Sequence, residues 1–419
     1  MSLASERRAW ALLYLCLGVV EGGTAAVIVR ALFADDVPTV LVDLVLAMVS
    51  AAPAWANLAS LGYARLAQGR PKVRFLRPLL VAMSVCVGAL ALLPTEGVGL
   101  LLFFILYGTA RLLWAGVETV RSVLWSRNYP RRLRARITGR ILVYSSLAFA
   151  ASGLVLGWLV DEHGLWFRLA ILAAAGCGLA GSAAFSRLRV RGEKALLEAE
   201  RSRTASGASF SLAGMMGLLR SDPAFRRYMY SMSIFGAGNL MLTPLVVISL
   251  DEVLALPTLW QVVVTTAMPV LVMPFAVPPW AALLDRVHVV AYRSVHGWVL
   301  VAAAGLLACA VLMRVPALLA PGALLMGTSL AAGSLGWTLG HNDFAPRGEE
   351  TRYMALHVTL TGIRGLLAPP LGVATYYLLE SVVPGHGSFA LLLPVALVSF
   401  GAWEFTAMRR DYPGLDRRT

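Results

Sequence analysis

Residues 97–140 read GVGLLLFFILYGTARLLWAGVETVRSVLWSRNYPRRLRARITGR. An apolar run over 97–125 gives way to Arg127, Arg131, Arg132, Arg134, Arg136 and Arg140. About 20 apolar residues cross the hydrocarbon core of a bilayer as a helix. Only helices and closed barrels satisfy every backbone polar group there, and a barrel strand would alternate over about ten residues. This run is longer and uniformly apolar, so it predicts a transmembrane helix. The basic cluster at its end marks the side of the membrane on which it stops.

The same pattern recurs outward in both directions. Apolar runs lie at 9–33, 38–64, 78–94, 97–125, 139–160, 166–186, 229–250, 257–284, 294–313, 317–340, 353–379 and 388–408. They predict an all-α integral membrane protein of about twelve transmembrane helices. Composition agrees: the 419 residues are 58% hydrophobic and 14% charged, with mean hydropathy +0.72, whereas soluble domains carry roughly 25% charged residues. The spans and their short loops leave no length for a sizeable soluble domain. The first run, behind Arg7 and Arg8, is too long for a signal-peptide core and reads as a retained first helix.

Basic residues set the expected orientation. Arg65, Arg70, Lys72, Arg74 and Arg77 follow the second run. Arg187, Arg189, Arg191, Lys194, Arg201, Arg203, Arg220, Arg226 and Arg227 follow the sixth, and Arg409, Arg410, Arg417 and Arg418 follow the last. The opposite loops hold only Arg168 and Arg314, beside Asp35, Asp36, Glu96, Asp161, Glu162, Asp251, Glu252 and Glu380. Both termini are therefore expected on the cytoplasmic side. The net charge of +13 belongs to that inner face. It implies contact with anionic lipid headgroups, worth about 1 kcal/mol per basic residue, and no nucleic-acid partner. The Arg- and Ala-rich, Lys-poor makeup fits a GC-rich bacterial genome, so the expected site is a bacterial cytoplasmic (inner) membrane.

The long polar break over 187–228 reads as a linker between an N-terminal six-helix bundle, 1–186, and a C-terminal one, 229–419. The two halves share weak echoes in order. Pro53-x-Trp55-Ala56-x-Leu58 recurs as Pro278-x-Trp280-Ala281-x-Leu283, Asn128-x-Pro130 has a looser echo in Asn342 and Pro346, and Thr138-Gly139 recurs as Thr361-Gly362. An even number of spans per half makes the repeat parallel, with its pseudo-twofold along the membrane normal.

Six helices plus six, a cytoplasmic mid-loop and basic inner loops resemble the major facilitator superfamily of secondary transporters. The likeness extends over essentially the whole chain. The loop between helices 2 and 3 of that family reads Gly-x3-Asp-Arg-x-Gly-Arg-Lys/Arg; here Gly62, Gly69 and Arg70 fit, while Leu66 and Ala67 stand at the Asp-Arg positions. The equivalent second-half loop keeps Asp285-Arg286 and lacks the glycines. In the family this loop latches the outward-facing state, so the resemblance implies a gating role for Gly62, Gly69, Arg70, Asp285 and Arg286. Arg111 with Gly116 resembles the family's embedded helix-4 arginine. The Gly- and Pro-rich repeat of its proton antiporters is absent from helix 5, and helix 11 carries Gly362, Gly365, Pro369, Pro370 and Gly372 instead.

Ionisable groups deep in a bilayer cost about 2.5–3.5 kcal/mol each, so they persist when paired or functional. Glu21, Arg30, Asp43, Arg111, Glu118, Arg121 and Arg364 qualify. Glu21 and Arg111 are expected near the midplane, in helices that line the cavity by resemblance. Two readings are open: a pair that exchanges proton and substrate, or a static ion pair. Glu118 and Arg121 read as a local pair near the inner interface or as a proton site. Arg30 and Asp43 read as snorkelling or as an outer gate. Arg364 reads as a ligand for an anionic substrate group or as a cap for carbonyls freed by the nearby prolines. Asn239 and Thr243 in helix 7, and Thr328, Ser329 and Ser334 in helix 10, supply neutral polar lining, with Trp114 and Trp337 as candidate walls. Trp10, Trp125 and Trp166 read as interface anchors.

His341-Asn-Asp343 and His357 invite a metal or catalytic reading, against a helix cap made by Asn342 or Asp343. His163, His288, His296 and His386 read as loop or boundary residues. Cys16, Cys86, Cys177 and Cys309 read as buried apolar thiols without a CxxC partner. No metal and no cofactor are implied, and no GxxxxGK[ST] loop supports an ATP-driven pump. The expectation is a non-enzymatic secondary transporter moving a small solute by alternating access, coupled to protons. Apolar walls favour efflux of amphipathic compounds, whereas Arg111 and Arg364 favour uptake of an anionic metabolite. Two rivals stand beside it: a polytopic membrane enzyme using the His341/Asp343/His357 group, and a non-transporting sensor or assembly protein docking through its basic mid-loop.

Overall fold

The computed structural model describes residues 3–129, 131–161, 164–204, 212–346 and 349–413. Residues 205–211 of the linker, Pro130, Glu162, His163, Arg417 and Arg418 lie outside them. The described residues form helices α1 (Leu3–Val19), α2 (Gly22–Phe33), α3 (Thr39–Ser50), α4 (Ala52–Trp55), α5 (Ser60–Ala67), α6 (Lys72–Leu90), α7 (Gly97–Asn128), α8 (Arg131–Leu159), α9 (Gly164–Phe185), α10 (Glu193–Thr204) and α11 (Leu212–Ser221). They continue with α12 (Pro223–Glu252), α13 (Thr258–Val262), α14 (Met268–Leu284), α15 (Val289–Leu312), α16 (Leu319–Leu339), α17 (Glu350–Val382) and α18 (Leu392–Asp411). No strand occurs among the described residues.

Local chemistry sets the ends. Asp222 caps α12 by accepting from the Phe225 amide at 2.9 Å, with Pro223 in the first turn, where its missing N–H costs nothing. Helix α7 stops at Asn128 because Tyr129 is extended ahead of Pro130, as a following proline requires.

Nine helical segments among the described residues are long and apolar enough to cross a membrane, and ten if α3 and the α4–α5 stretch, bent by 51°, count as one span. The other two expected spans are present as helices but fall short of that standard. Val143–Leu159 of α8 is the shorter one. Helix α17 has ample length, 33 residues, but His357, Arg364 and Pro369-Pro370 dilute its apolar character. Two expected spans are also not single rods: helix 1 breaks at Val20–Glu21, and helix 2 bends at Ala51.

The chain forms two compact units, residues 1–45 with 56–209, and residues 46–55 with 210–419. In the first unit α1 packs on α8 and α9, α6 packs on α7 and α9, and α5 packs on α7. In the second, α12 packs on α17 and α18, α15 packs on α16 and α18, and α14 packs on α16. Numbered as spans within each half, these are the same pairings: first with fifth and sixth, third with fourth and sixth, second with fourth. The internal repeat is thus present in the packing.

Glycines allow close approach where the repeat demands it. A Cβ at Gly401 of α18 would stand 2.5 Å from the Phe235 Cβ of α12, and one at Gly178 of α9 would meet Cys16 and Ser84. Large apolar side chains face outward, with Phe275 83% and Leu92 73% exposed. A water-soluble surface rarely shows such continuous apolar area, whereas lipid accepts it. Cys16 is buried, but Cys309 is exposed and Cys86 and Cys177 are half-buried, so the expectation of four buried thiols holds for Cys16 alone. Trp10 and Trp114 are core residues, not an interface anchor and a cavity wall. Their rings meet edge to face at 6.4 Å, and Trp10 also packs on Phe185 at 5.3 Å.

Candidate functional site

The break between α1 and α2 falls at Val20 and Glu21. Glu21 takes the N-cap position of α2 with an extended backbone (φ −77°, ψ 138°), and its side chain makes no cap hydrogen bond. The Gly22-Gly23 pair that follows lowers helix propensity at this point. Arg111, near the middle of α7, donates from Nη1 to the Val20 carbonyl at 3.5 Å, and the same nitrogen is 3.9 Å from Glu21 Oε2. Its Nε is buried without a hydrogen-bond partner. The expected juxtaposition of Glu21 and Arg111 is therefore present, but as a long, incompletely satisfied contact at a helix break. Gly116, one turn along α7, leaves room for the Tyr63 ring of α5.

Glu118 is more loosely held. It is 43% exposed and 3.8 Å from Arg121. Arg121 is committed elsewhere: it donates to the Tyr14 hydroxyl at 2.8 Å and lies over the Trp125 ring at 4.6 Å. Beside it, Glu6 accepts from the indoles of Trp10 and Trp125 at 3.3 Å each, and from the Tyr129 hydroxyl. This aromatic-clamped carboxylate was not legible in the sequence, because two of its three donors, Trp125 and Tyr129, come from more than a hundred positions away. Arg30 and Asp43 form a buried ion pair at 2.5 Å, so Arg30 does not snorkel.

The loop after α5 has an unexpected acid. Gly69 holds φ +68°, a left-handed conformation that suits glycine. Its amide donates to Glu200 Oε2 at 2.8 Å, and Lys72 Nζ pairs with the same oxygen at 2.6 Å while also donating to the Ala67 carbonyl. Glu193 accepts from the Lys72 amide at 3.2 Å. Both glutamates belong to linker helix α10. The carboxylate missing at Leu66 is thus supplied from the linker. Gly62 and Arg70 are exposed, and a Cβ at Gly62 would meet nothing. In the second unit Asp285 caps the end of α14, and Arg286 beside it is exposed.

Arg364, near the middle of α17, is 9% exposed. Its Nη1 donates to the Met232 carbonyl of α12, and Nη2 donates to Thr361 Oγ1 at 2.7 Å. Asn239 and Thr243 lie one turn apart on α12, half-buried, with no hydrogen-bond partner among the described residues. The sequence reading missed Arg293 and misplaced His296. Helix α15 begins at Val289, so both lie inside it, and each is 2% exposed. Arg293 contacts His296 Nδ1 at 3.1 Å, and His296 Nε2 lies 3.0 Å from Ser329 Oγ. The signal available was an Arg-x-x-His pair at the edge of an apolar run. Ser329 is thereby engaged, while Thr328 and Ser334 bond carbonyls within α16.

The His341/Asp343/His357 group does not form a metal site; no cluster of three such ligands occurs among the described residues. Asp343 Oδ2 accepts from the Val289 amide at 2.7 Å, capping α15 together with His288, whose Nδ1 accepts from Val290. His357 is fully buried against Trp337.

No family model matches the chain, and no curated protein matches it in sequence. Solved structures do match in fold. A POT family transporter in complex with 5-aminolevulinic acid superposes with TM-score 0.70 at 13% identity, covering 97% of this chain and 96% of that one. The nucleoside transporter NupG gives 0.69 at 12% identity, covering 97% of this chain and 100% of its own. A D-xylose-proton symporter gives 0.69 at 11% identity, covering 96% and 97%. Matches of this extent span nearly the whole of each chain, so this chain shares the fold of these transporter structures.

Proposed function

We propose that this chain is a secondary active transporter that moves a small solute across a bacterial cytoplasmic membrane by alternating access, coupled to protons. Bundles 1–186 and 229–419 rock about a midplane site, with 187–228 as the cytoplasmic connection and both termini inside. The observation that carries the reading is the helix break at Glu21. A carboxylate there meets Arg111, which already spends one nitrogen on the freed Val20 carbonyl. Protonating the half-buried Glu21 removes one charge of the pair and releases Arg111 to a substrate or to the carbonyl alone. Discontinuous helices with exposed backbone at membrane depth are a recurrent way to build transporter sites.

The fold's solved neighbours named above are transporters, which favours this reading over an enzyme. The capping role of Asp343 also removes the carboxylate that an enzyme site would need. The test separates coupling from binding. In proteoliposomes, Glu21→Gln should retain solute exchange at equal pH on both sides but lose accumulation driven by a pH gradient. Unimpaired accumulation in the variant would exclude Glu21 as the coupling group.

A further inference from the structure

The two units differ in how they treat buried arginines. In the first, buried Arg30 and Arg111 and half-buried Arg121 each have a carboxylate within 4 Å: Asp43, Glu21 and Glu118. In the second, Arg293 and Arg364 have none among the described residues. Ion pairs among the described residues of that unit, such as Arg227 with Glu404 and Asp411 and Arg352 with Glu349, involve other residues. Yet both are buried, and their surroundings adjoin: Gly336, which makes room for Arg293, precedes Trp337, whose indole donates to Thr361, the hydroxyl that also accepts from Arg364. The Tyr228 hydroxyl of α12, buried without a hydrogen-bond partner, packs at Gly340, one turn beyond the Gly336 of α16 that faces Arg293.

Their surroundings satisfy them only in part. Arg293 reaches His296 and, at 3.5 Å, the Gly333 carbonyl, while its Nε has no partner. Arg364 reaches one carbonyl and one hydroxyl, and its Nε also lacks a partner. His357, one turn before Thr361, has neither ring nitrogen hydrogen-bonded. Room is kept for both guanidiniums: a Cβ at Gly336 would stand 2.8 Å from Arg293 Cζ, and one at Gly236 would stand 2.7 Å from Arg364 Nη1. Burying unpaired charge and orphaned donors is costly. Two forked cations with free N–H groups match the planar or tetrahedral oxygens of an oxyanion.

We infer that Arg293 and Arg364, with Tyr228 beside them, form a binding site for an oxyanion group of the transported solute, a carboxylate or a phosphate. The inference rests on the transporter reading and names its substrate class. It selects the anionic metabolite over the amphipathic compound. The bound anion supplies the counter-charge that the unit lacks, so the loaded and empty states differ in how much uncompensated charge is buried.

The test is ligand-dependent thermal stability of the purified full-length protein in detergent. Succinate and inorganic phosphate are titrated separately against chloride at matched ionic strength. The wild type should show a saturable rise in Tm with at least one of them, and the arm that saturates identifies carboxylate or phosphate. Arg364→Gln and Arg293→Gln should each weaken the apparent Kd by about tenfold, the order expected for losing a charged hydrogen-bonding partner. Arg364→Lys keeps the charge and loses the fork; it should fold and still bind several-fold more weakly. No saturable shift above chloride in the wild type, or equal shifts in all four proteins, would overturn the site. Solute flux separates the two readings. Gradient-driven flux of a neutral solute without oxyanion binding leaves the transporter standing and removes this site. Oxyanion binding without flux does the reverse.

Discussion

Arg111 and Arg293 show what a single buried charge reveals before and after folding. Arg111 stands out in the sequence because it interrupts a long apolar run, and its partner Glu21 stands out for the same reason. Arg293 was hidden because the apolar run reads as beginning one residue later, whereas His288 and Asp343 start the helix earlier. Trp10 was misjudged because ring partners from α7 and α9 cannot be read from local sequence. The Arg30–Asp43 pair gives a residue-scale prediction. Asp43→Asn leaves Arg30 buried beside a neutral amide and should destabilise the protein by about 3–5 kcal/mol, whereas replacing both by apolar residues of similar volume should cost far less. Unfolding in mixed micelles, run as a double-mutant cycle, measures the difference. Equal losses in the single and double variants would contradict an ion pair that matters chiefly through its balance.

At the scale of elements, the linker helix α10 carries the clearest lesson. Its Glu193 and Glu200 reach the loop after α5, and Glu200 serves both the Gly69 amide and Lys72. The sequence showed a latch motif without its acid and a charged linker, but nothing tied one to the other. Glu200→Gln should release α10, seen as faster hydrogen exchange across 193–204 with the membrane helices unchanged; unchanged exchange there would show that the contact does not hold α10. A second element titrates. Glu380 accepts from the Gly385 and Gly387 amides at 2.7 and 2.8 Å, which hold its carboxyl below the usual carboxylate range. The turn that it fastens is thus fully ordered above the ordinary glutamate value and loosens as pH falls through the lowered one. Exchange at Gly385 and Gly387, corrected for its intrinsic pH dependence, should lose protection only in that acidic window, and Glu380→Gln should weaken the protection at neutral pH. The broken α1–α2 span belongs here too: hydropathy averages across Val19–Gly23 and sees one helix, while the Glu-Gly-Gly sequence ends it.

At the scale of the molecule, the bundle architecture was legible because bilayer thickness, basic loops and faint internal echoes all constrain it. The exact spans were less so, since α8 and α17 carry polar residues that blur their limits. The repeated packing pairs in the two units give the duplication a physical form that Pro53/Pro278 and Trp55/Trp280 only suggested. Charge then separates the halves: the first balances its buried arginines, and the second leaves room for an anion. The central claim is gradient-driven transport, and uptake into proteoliposomes under an imposed inward proton gradient tests it most directly, with a panel of carboxylates, phosphate esters and neutral solutes against empty vesicles. The account predicts saturable uptake of at least one anionic solute that collapses when a protonophore dissipates the gradient. Uptake of every solute equal to that of empty vesicles, from protein shown to be folded and correctly inserted, would contradict it.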